Sequence, residues 1–240
     1  MKKINLLIGL VAMTCIAGCM NNVEPTSTFY ETLTYNGYTY NVVQIGNQYW
    51  LAENLRTTKY NDGTDISFIT DTNEWSNATT GAYCIYSNKE SNLSRYGCLY
   101  NFDAVKSGKL APDGWRVATD EDWEQLVNSC LDYCGNFNEV CRRLTSNSNN
   151  SNSNGSGKSN GRNCCRNNSA ANYGYGFGAC FGGYRNENGF CNELGKNGYC
   201  WTSIEQTNNE ACVYKITNST INKFNANQKT GYSVRLIKCK

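Results

Sequence analysis

The residues with the most chemistry in this chain are its cysteines. There are 14 of them, and no histidine. Without imidazole there is no Ser-His or Cys-His nucleophile pair and no nitrogen ligand for zinc or iron. Catalysis would have to run on carboxylates, Lys, Tyr or Cys. No Cys-x-x-Cys pair occurs, so the spacing of a zinc ribbon or a thioredoxin-type motif is missing. Cys130, Cys134 and Cys141 fall near one helical face, and Cys164-Cys165 sits beside a low-complexity stretch. The acidic residues are also grouped. Asp120, Glu121, Asp122 and Glu124 stand where a helix begins, and the helix dipole explains them better than a paired-carboxylate site does. Asp62, Asp65, Asp71 and Glu74 share one loop-rich stretch. A calcium site needs such clustered oxygens, but any surface loop has them too. Arg116, Arg185 and Arg235 read as structural hydrogen-bond donors. No catalytic residue, metal ligand set or cofactor follows from these patterns.

Aromatic residues make up 12% of the chain, with 17 Tyr and 5 Trp. Tyr and Trp suit half-buried strands and wet binding surfaces alike. Trp75, Tyr173, Tyr175 and Trp201 are the candidate ligand-binding rings. Burial of the same rings is the simpler account. A net charge of +2 with 18% charged residues makes no electrostatic case for nucleic acid.

The first residues read as an export signal. Lys2 and Lys3 precede an apolar run of about 14 residues, Ile4 to Ala17, too short for the roughly 20 residues of a spanning helix. Ile16-Ala17-Gly18-Cys19 resembles a bacterial lipobox, which implies cleavage before Cys19 and acylation of that cysteine. Residues 1–18 are then a lipoprotein signal peptide and 19–34 a polar tether. Removal of Cys15 and lipidation of Cys19 leave twelve cysteines. An even number in an exported domain suggests disulfides, with connectivity open.

The elements that would position any site are short. Tyr38–Ile45 is rich in β-formers, and Gly46-Asn47 joins it to a second strand starting at Gln48. Thr119 can cap a helix whose Trp123, Leu126, Val127, Cys130 and Leu131 form one apolar face. These residues are expected to pack against a sheet. A weaker helix covers Asn138 to Leu144. Residues 146–163 are Ser-, Asn- and Gly-rich and predict a surface loop inserted in one domain, residues 35–240. Tyr232–Ile237 predicts a closing strand, with Val234 and Leu236 inward and Arg235 on the other side.

Several stretches occur in order: Gln44-Ile-Gly-Asn-Gln-Tyr-Trp-Leu-Ala-Glu-Asn-Leu55, Thr58-Lys-Tyr-Asn-Asp-Gly63, Tyr96-Gly-Cys-Leu-Tyr-Asn101 and Ala111-Pro-Asp-Gly-Trp-Arg-Val-Ala-Thr-Asp-Glu-Asp-Trp123. Gly182-Gly-Tyr-Arg185, Gly198-Tyr-Cys-Trp-Thr-Ser203 and Gly231-Tyr-Ser-Val-Arg235 follow. Together they resemble the Fibrobacter succinogenes major paralogous domain of exported bacterial proteins, from about Tyr35 to Ile237. The stretch from Gly114 to Trp123 is also similar to formylglycine-generating enzymes and other C-type-lectin-like domains, with Ala118 in place of the usual proline. The resemblance implies an α+β fold: a C-type-lectin-like mixed fold of short twisted strands, one or two helices and long loops. It also implies that Tyr232–Ile237 lies in the same sheet as Thr39–Ile45, and it transfers no catalytic residue. The function expected is a lipid-anchored protein of the bacterial cell envelope, at the outer membrane or cell surface. Its partners would be the membrane, through Cys19, and a glycan or envelope protein bound by a non-enzymatic domain. A cysteine-dependent oxidase is the enzyme alternative, and a structural surface protein the third.

Overall fold

The computed structural model describes residues 29–145 and 175–240. Cys19, the signal segment, loop 146–163, Cys164-Cys165 and Tyr173 lie outside the described residues. In chain order the strands begin with β1 (Phe29–Tyr35), β2 (Tyr38–Ile45), β3 (Gln48–Leu51) and β4 (Ser67–Phe68). Helix α1 (Thr72–Asn77), β5 (Ala82–Cys84), α2 (Glu90–Tyr96), β6 (Leu99–Tyr100) and α3 (Phe102–Lys106) follow. Then come β7 (Trp115–Val117), α4 (Asp120–Cys134) and α5 (Phe137–Thr145). The rest is strand: β8 (Tyr184–Arg185), β9 (Cys191–Asn192), β10 (Gly198–Thr207), β11 (Glu210–Ile216), β12 (Ile221–Asn227), β13 (Ser233–Val234) and β14 (Leu236–Lys238). The class is mixed α+β. Five α-helices form where one or two were expected, although three of them are seven residues or shorter.

Two sheets carry most of the order. One runs β1-β2-β3-β14-β7, and the other β12-β11-β10-β13. The expected tether to residue 34 is too long, because β1 begins at Phe29 and pairs antiparallel with β2. The Gly46-Asn47 hairpin forms as expected, with Ile45 opposite Gln48. Gly46 holds a φ of 57°, the left-handed region that such turns require.

The expected closing strand breaks at Arg235. Ser233–Val234 joins the four-stranded sheet beside β10, and Leu236–Lys238 joins the five-stranded sheet between β3 and β7. The first part of the segment therefore leaves the sheet of Thr39–Ile45, and the second part enters it. Val234 and Leu236 are fully buried, but so is Arg235. Its side chain points away from theirs and still meets no water, because the chain crosses between sheets at that residue. Arg235 donates to the carbonyls of Leu51 (2.8 Å), Phe177 (2.6 Å) and Gly178 (2.7 Å) and to Asn54 Oδ1 (2.7 Å). Its guanidinium lies 4.4 Å from the Phe177 ring centroid. Burial lowers its pKa to about 10, so it remains charged at neutral pH. A buried charge persists only when donors and acceptors match in this way.

Helix α4 shows why its sequence is helical. Thr119 Oγ1 accepts from the Asp122 amide, and the Asp122 carboxylate accepts from the Thr119 amide, a reciprocal capping box. Gly135 ends the helix with φ of 73°. Trp123, Leu126 and Cys130 are buried, while Val127 and Leu131 lie at the flank of the face and are only half-buried. Trp123 packs on Trp50 (5.3 Å between centroids) and lies flat on Tyr214 (5.0 Å, 14°). The helix thus seals one face of the β10–β12 sheet. The two ends of the described chain also meet: Lys238 Nζ pairs with Glu31 Oε1 at 2.5 Å, tying β14 to β1.

Candidate ligand-binding face

Of the four rings expected to meet a ligand, the three that are described do not form a surface. Trp75, Tyr175 and Trp201 are buried to within 1%. Each polar handle is satisfied inside the molecule. Trp75 Nε1 donates to the Lys229 carbonyl (2.9 Å) and Trp201 Nε1 to the Tyr100 carbonyl (2.8 Å). The Tyr175 hydroxyl meets Cys134 Sγ at 2.8 Å. Indoles and phenols sequestered with their partners are core. Trp75 also carries Arg185, whose guanidinium sits 4.6 Å over its ring and donates to the carbonyls of Ile69, Thr70, Asp71 and Gly189.

A different group of aromatics does converge. Tyr184, Tyr199 and Tyr232 each follow a glycine, in three separate stretches of the chain. Their ring centroids are 5.1 Å (Tyr184–Tyr199), 5.6 Å (Tyr184–Tyr232) and 5.2 Å (Tyr199–Tyr232) apart. Phe224 joins edge-on, 6.2 Å from Tyr199 and 6.4 Å from Tyr232. Strand alternation places Tyr199, Trp201, Val213, Lys215, Asn222 and Phe224 on this side of the sheet, opposite α4. Tyr199 and Tyr232 are buried, but Tyr184 is half-buried and Phe224 is 37% exposed. The cluster therefore reaches the surface through two of its rings.

Polar groups border it. The Tyr199 hydroxyl donates to Glu193 Oε2, and Asn197 Nδ2 donates to the same oxygen at 2.6 Å. These two donors hold the Glu193 carboxyl below its usual range. Burial first, and then the Glu193 charge, raise the Tyr199 phenol well above its ordinary value. Lys215 Nζ lies 5.4 Å from the Tyr199 ring centroid. Glu193 is one of four non-glycine residues with positive φ, at 63°. Such backbone strain is found where the surroundings over-determine a functional position. Gly183, also at φ 63°, could not carry a side chain, because a Cβ there would come 2.2 Å from the Asn192 carbonyl oxygen.

Six of the acidic groups singled out in the sequence are occupied elsewhere. Asp62 pairs with Lys109, Asp65 with Lys59, and Asp71 caps α1. Asp120 and Glu124 both hold Lys223. Asp122 takes both guanidinium nitrogens of Arg116. Among the described residues no group of three or more His, Cys, Asp and Glu could hold a metal. A cleft of about 240 Å³ lies beside the C-terminus, lined in part by Asn47, Tyr49, Arg116, Asp122 and Cys239. Its one carboxylate side chain is spent on Arg116 and Thr119. Nine of the ten described cysteines are free thiols, so no disulfide framework joins them.

The match to a family model covers residues 43–238, from within β2 to the end of β14. The chain belongs to the Fibrobacter succinogenes major domain family. No curated protein and no solved structure matches it. The family segment holds the whole tyrosine cluster and both buried arginines, whereas β1 lies ahead of it. The three tyrosines share a Gly-Tyr pair, in Gly183-Tyr184, Gly198-Tyr199 and Gly231-Tyr232, but so do Tyr38 and Tyr175 outside the cluster, so the pair alone does not mark it.

Proposed function

We propose that this member of the Fibrobacter succinogenes major domain family is a lipid-anchored protein of the bacterial cell envelope. Its domain is a non-enzymatic binder of glycan, and the ligand lies on the Tyr184–Phe224 face. The observation that carries this reading is the convergence of Tyr184, Tyr199, Tyr232 and Phe224, of which Tyr184 and Phe224 are partly open, bordered by Glu193, Asn197 and Lys215. Sugar rings present C–H faces that pack on aromatic rings, and hydroxyls that bond to carboxylate, amide and ammonium groups. A C-type-lectin-like arrangement is part of the proposal. It is supported by the junction of β1 and β14 through Glu31 and Lys238, which brings the two ends of the domain together.

The oxidase alternative needs a reactive thiolate. Burial pushes the thiols of Cys84 and Cys98 up to about 12 and that of Cys200 up to about 11, so these three are poor nucleophiles. The test of binding is a glycan array probed with the parent chain and with Phe224→Ala and Tyr184→Ala. Binding that either variant abolishes supports the reading, and turnover of a thiol peptide without glycan binding supports the oxidase. Anchoring is tested separately by palmitate labelling. The Cys19→Ala chain should take up no label and leave the membrane fraction; equal labelling of both chains contradicts acylation at Cys19.

A further inference from the structure

Strand β12 lies at the outer edge of its sheet and has β11 on one side only. Its seven residues pair with β11 from Ile221–Ile216 to Asn227–Glu210 without a register shift. Among the described residues no strand pairs with its other side. Such an edge presents a row of unpaired amides and carbonyls. Proteins usually blunt it with a bulge, a proline, a projecting lysine or short length. The other sheet edges here are blunted. β1 has a register irregularity between Phe29 and Glu31, β7 has three residues, and β4, β6, β8, β9 and β13 have two each. β12 has none of these devices. It contains no proline, and its one lysine is turned onto α4, where Lys223 Nζ meets Asp120 Oδ2 at 2.8 Å and Glu124 Oε1 at 2.7 Å. Asn222 to Asn225 are nevertheless exposed, Phe224 among them.

The strand is also complementary to itself. About a two-fold axis through Phe224, an antiparallel copy sets the two Phe224 rings opposite one another. It sets Lys223 against Asn225, Asn222 against Ala226 and Ile221 against Asn227. No like charges face each other, and an aromatic pair stands at the centre. Such a register closes about six to eight ladder hydrogen bonds, whichever antiparallel pattern Phe224 adopts. The net charge of +2 opposes the approach of two copies only weakly. We propose that β12 is a homodimer interface, where a second copy of this chain joins two four-stranded sheets into one continuous sheet. The axis passes through the sheet, so both α4 helices lie on one side and both tyrosine clusters on the other. If that face binds glycan as proposed above, the dimer offers two sites side by side to a repetitive chain. The dimer itself does not rest on that reading, because Lys223 and Asn225 lie in register with Tyr214 and Cys212, on the α4 side.

The experiment is sedimentation equilibrium of the full chain, reduced and in density-matched detergent. The parent should sediment at twice the chain mass. Asn225→Lys sets a lysine opposite Lys223 of the second copy, twice per dimer, and should weaken association by about tenfold. Asn225→Glu sets a carboxylate there instead and should associate at least as tightly as the parent. A loss of fold alone would not follow the sign of the new charge. Asn225 is exposed, and thermal melts of both variants check that they fold. If Asn225→Lys unfolds, Phe224→Ala decides, and association as tight as the parent's in that variant overturns the interface. A parent that stays monomeric, or a folded Asn225→Lys chain that associates as tightly as Asn225→Glu, overturns it as well.

Discussion

Strands β10, β11 and β12 send alternate residues to two sides, and the two sides differ in how they are closed. On one side Cys200, Tyr214 and Lys223 lie in register under α4. Tyr214 stacks on Trp123 and donates to Asp120, while Lys223 pairs with Asp120 and Glu124. On the other side Trp201, Val213 and Phe224 lie in register beneath the tyrosines, and no long helix covers them. The first face is sealed by a helix whose charges are paired. The second is covered by the short helix α3, whose Phe102 packs edge-on to Trp201 at 5.2 Å, and by short strands and turns, and it stays open at Phe224 and Tyr184. The same strands therefore supply a foundation on one side and an accessible aromatic surface on the other. Rigid support beneath a partly open cluster is what a binding surface needs, because ordering loose side chains costs affinity.

The comparison can be broken at several points. The largest effect should come from Arg235, which stands where the chain passes between the two sheets. Arg235→Met strips the donor from three buried carbonyls and Asn54, at about 1–3 kcal/mol for each group left unsatisfied. Denaturant unfolding should show at least about 3 kcal/mol of lost stability, or no folded protein at all. Trp123→Ala comes next. It removes the ring that joins Trp50, Phe177 and Tyr214 and should cost about 3–5 kcal/mol. A melting temperature within a degree of the parent would mean that α4 does not seal the sheet.

The acid limb sharpens the account of α4. Burial raises the Asp122 pKa, but the hydrogen bonds from Arg116 and Thr119 outweigh it, and the folded value lies below the ordinary one. A depressed carboxyl contributes stability that is fully present above its unfolded pKa of about 3.9 and is lost as pH falls through the folded value. Asp122→Asn should therefore cost about 1–3 kcal/mol at pH 7 and flatten the decline below about pH 4. An unchanged acid limb in urea melts would show that the pair contributes nothing.

How far the sequence carried can be judged from particular residues. The β2–β3 hairpin was legible because Gly46-Asn47 sits between two β-rich runs. Helix α4 was legible because its cap and its three- and four-residue spacing agree. Both are local signals. Tyr184, Tyr199 and Tyr232 were visible as Gly-Tyr pairs, but their meeting depends on which strands lie together, and no local pattern reports that. Arg235 was assigned correctly to the side opposite Val234 and Leu236. Period-two alternation does not say that this side is buried as well. Trp75, Tyr175 and Trp201 misled for the same reason: a large ring flanked by turn residues reads alike whether its polar atom meets water or a buried carbonyl.

The smallest expected effect on stability belongs to the open face, and it carries the central claim. Phe224→Ala removes a ring that is 37% exposed and edge-on to Tyr199 and Tyr232, and it should cost about 1–2 kcal/mol. The direct measurement pairs a thermal melt with binding to whichever glycan the parent captures on an array. The account predicts a folded Phe224→Ala with only that modest loss of stability, together with at least about a tenfold loss of affinity, the equivalent of about 1.4 kcal/mol. Full glycan affinity in a folded Phe224→Ala, Tyr184→Ala double variant would contradict it.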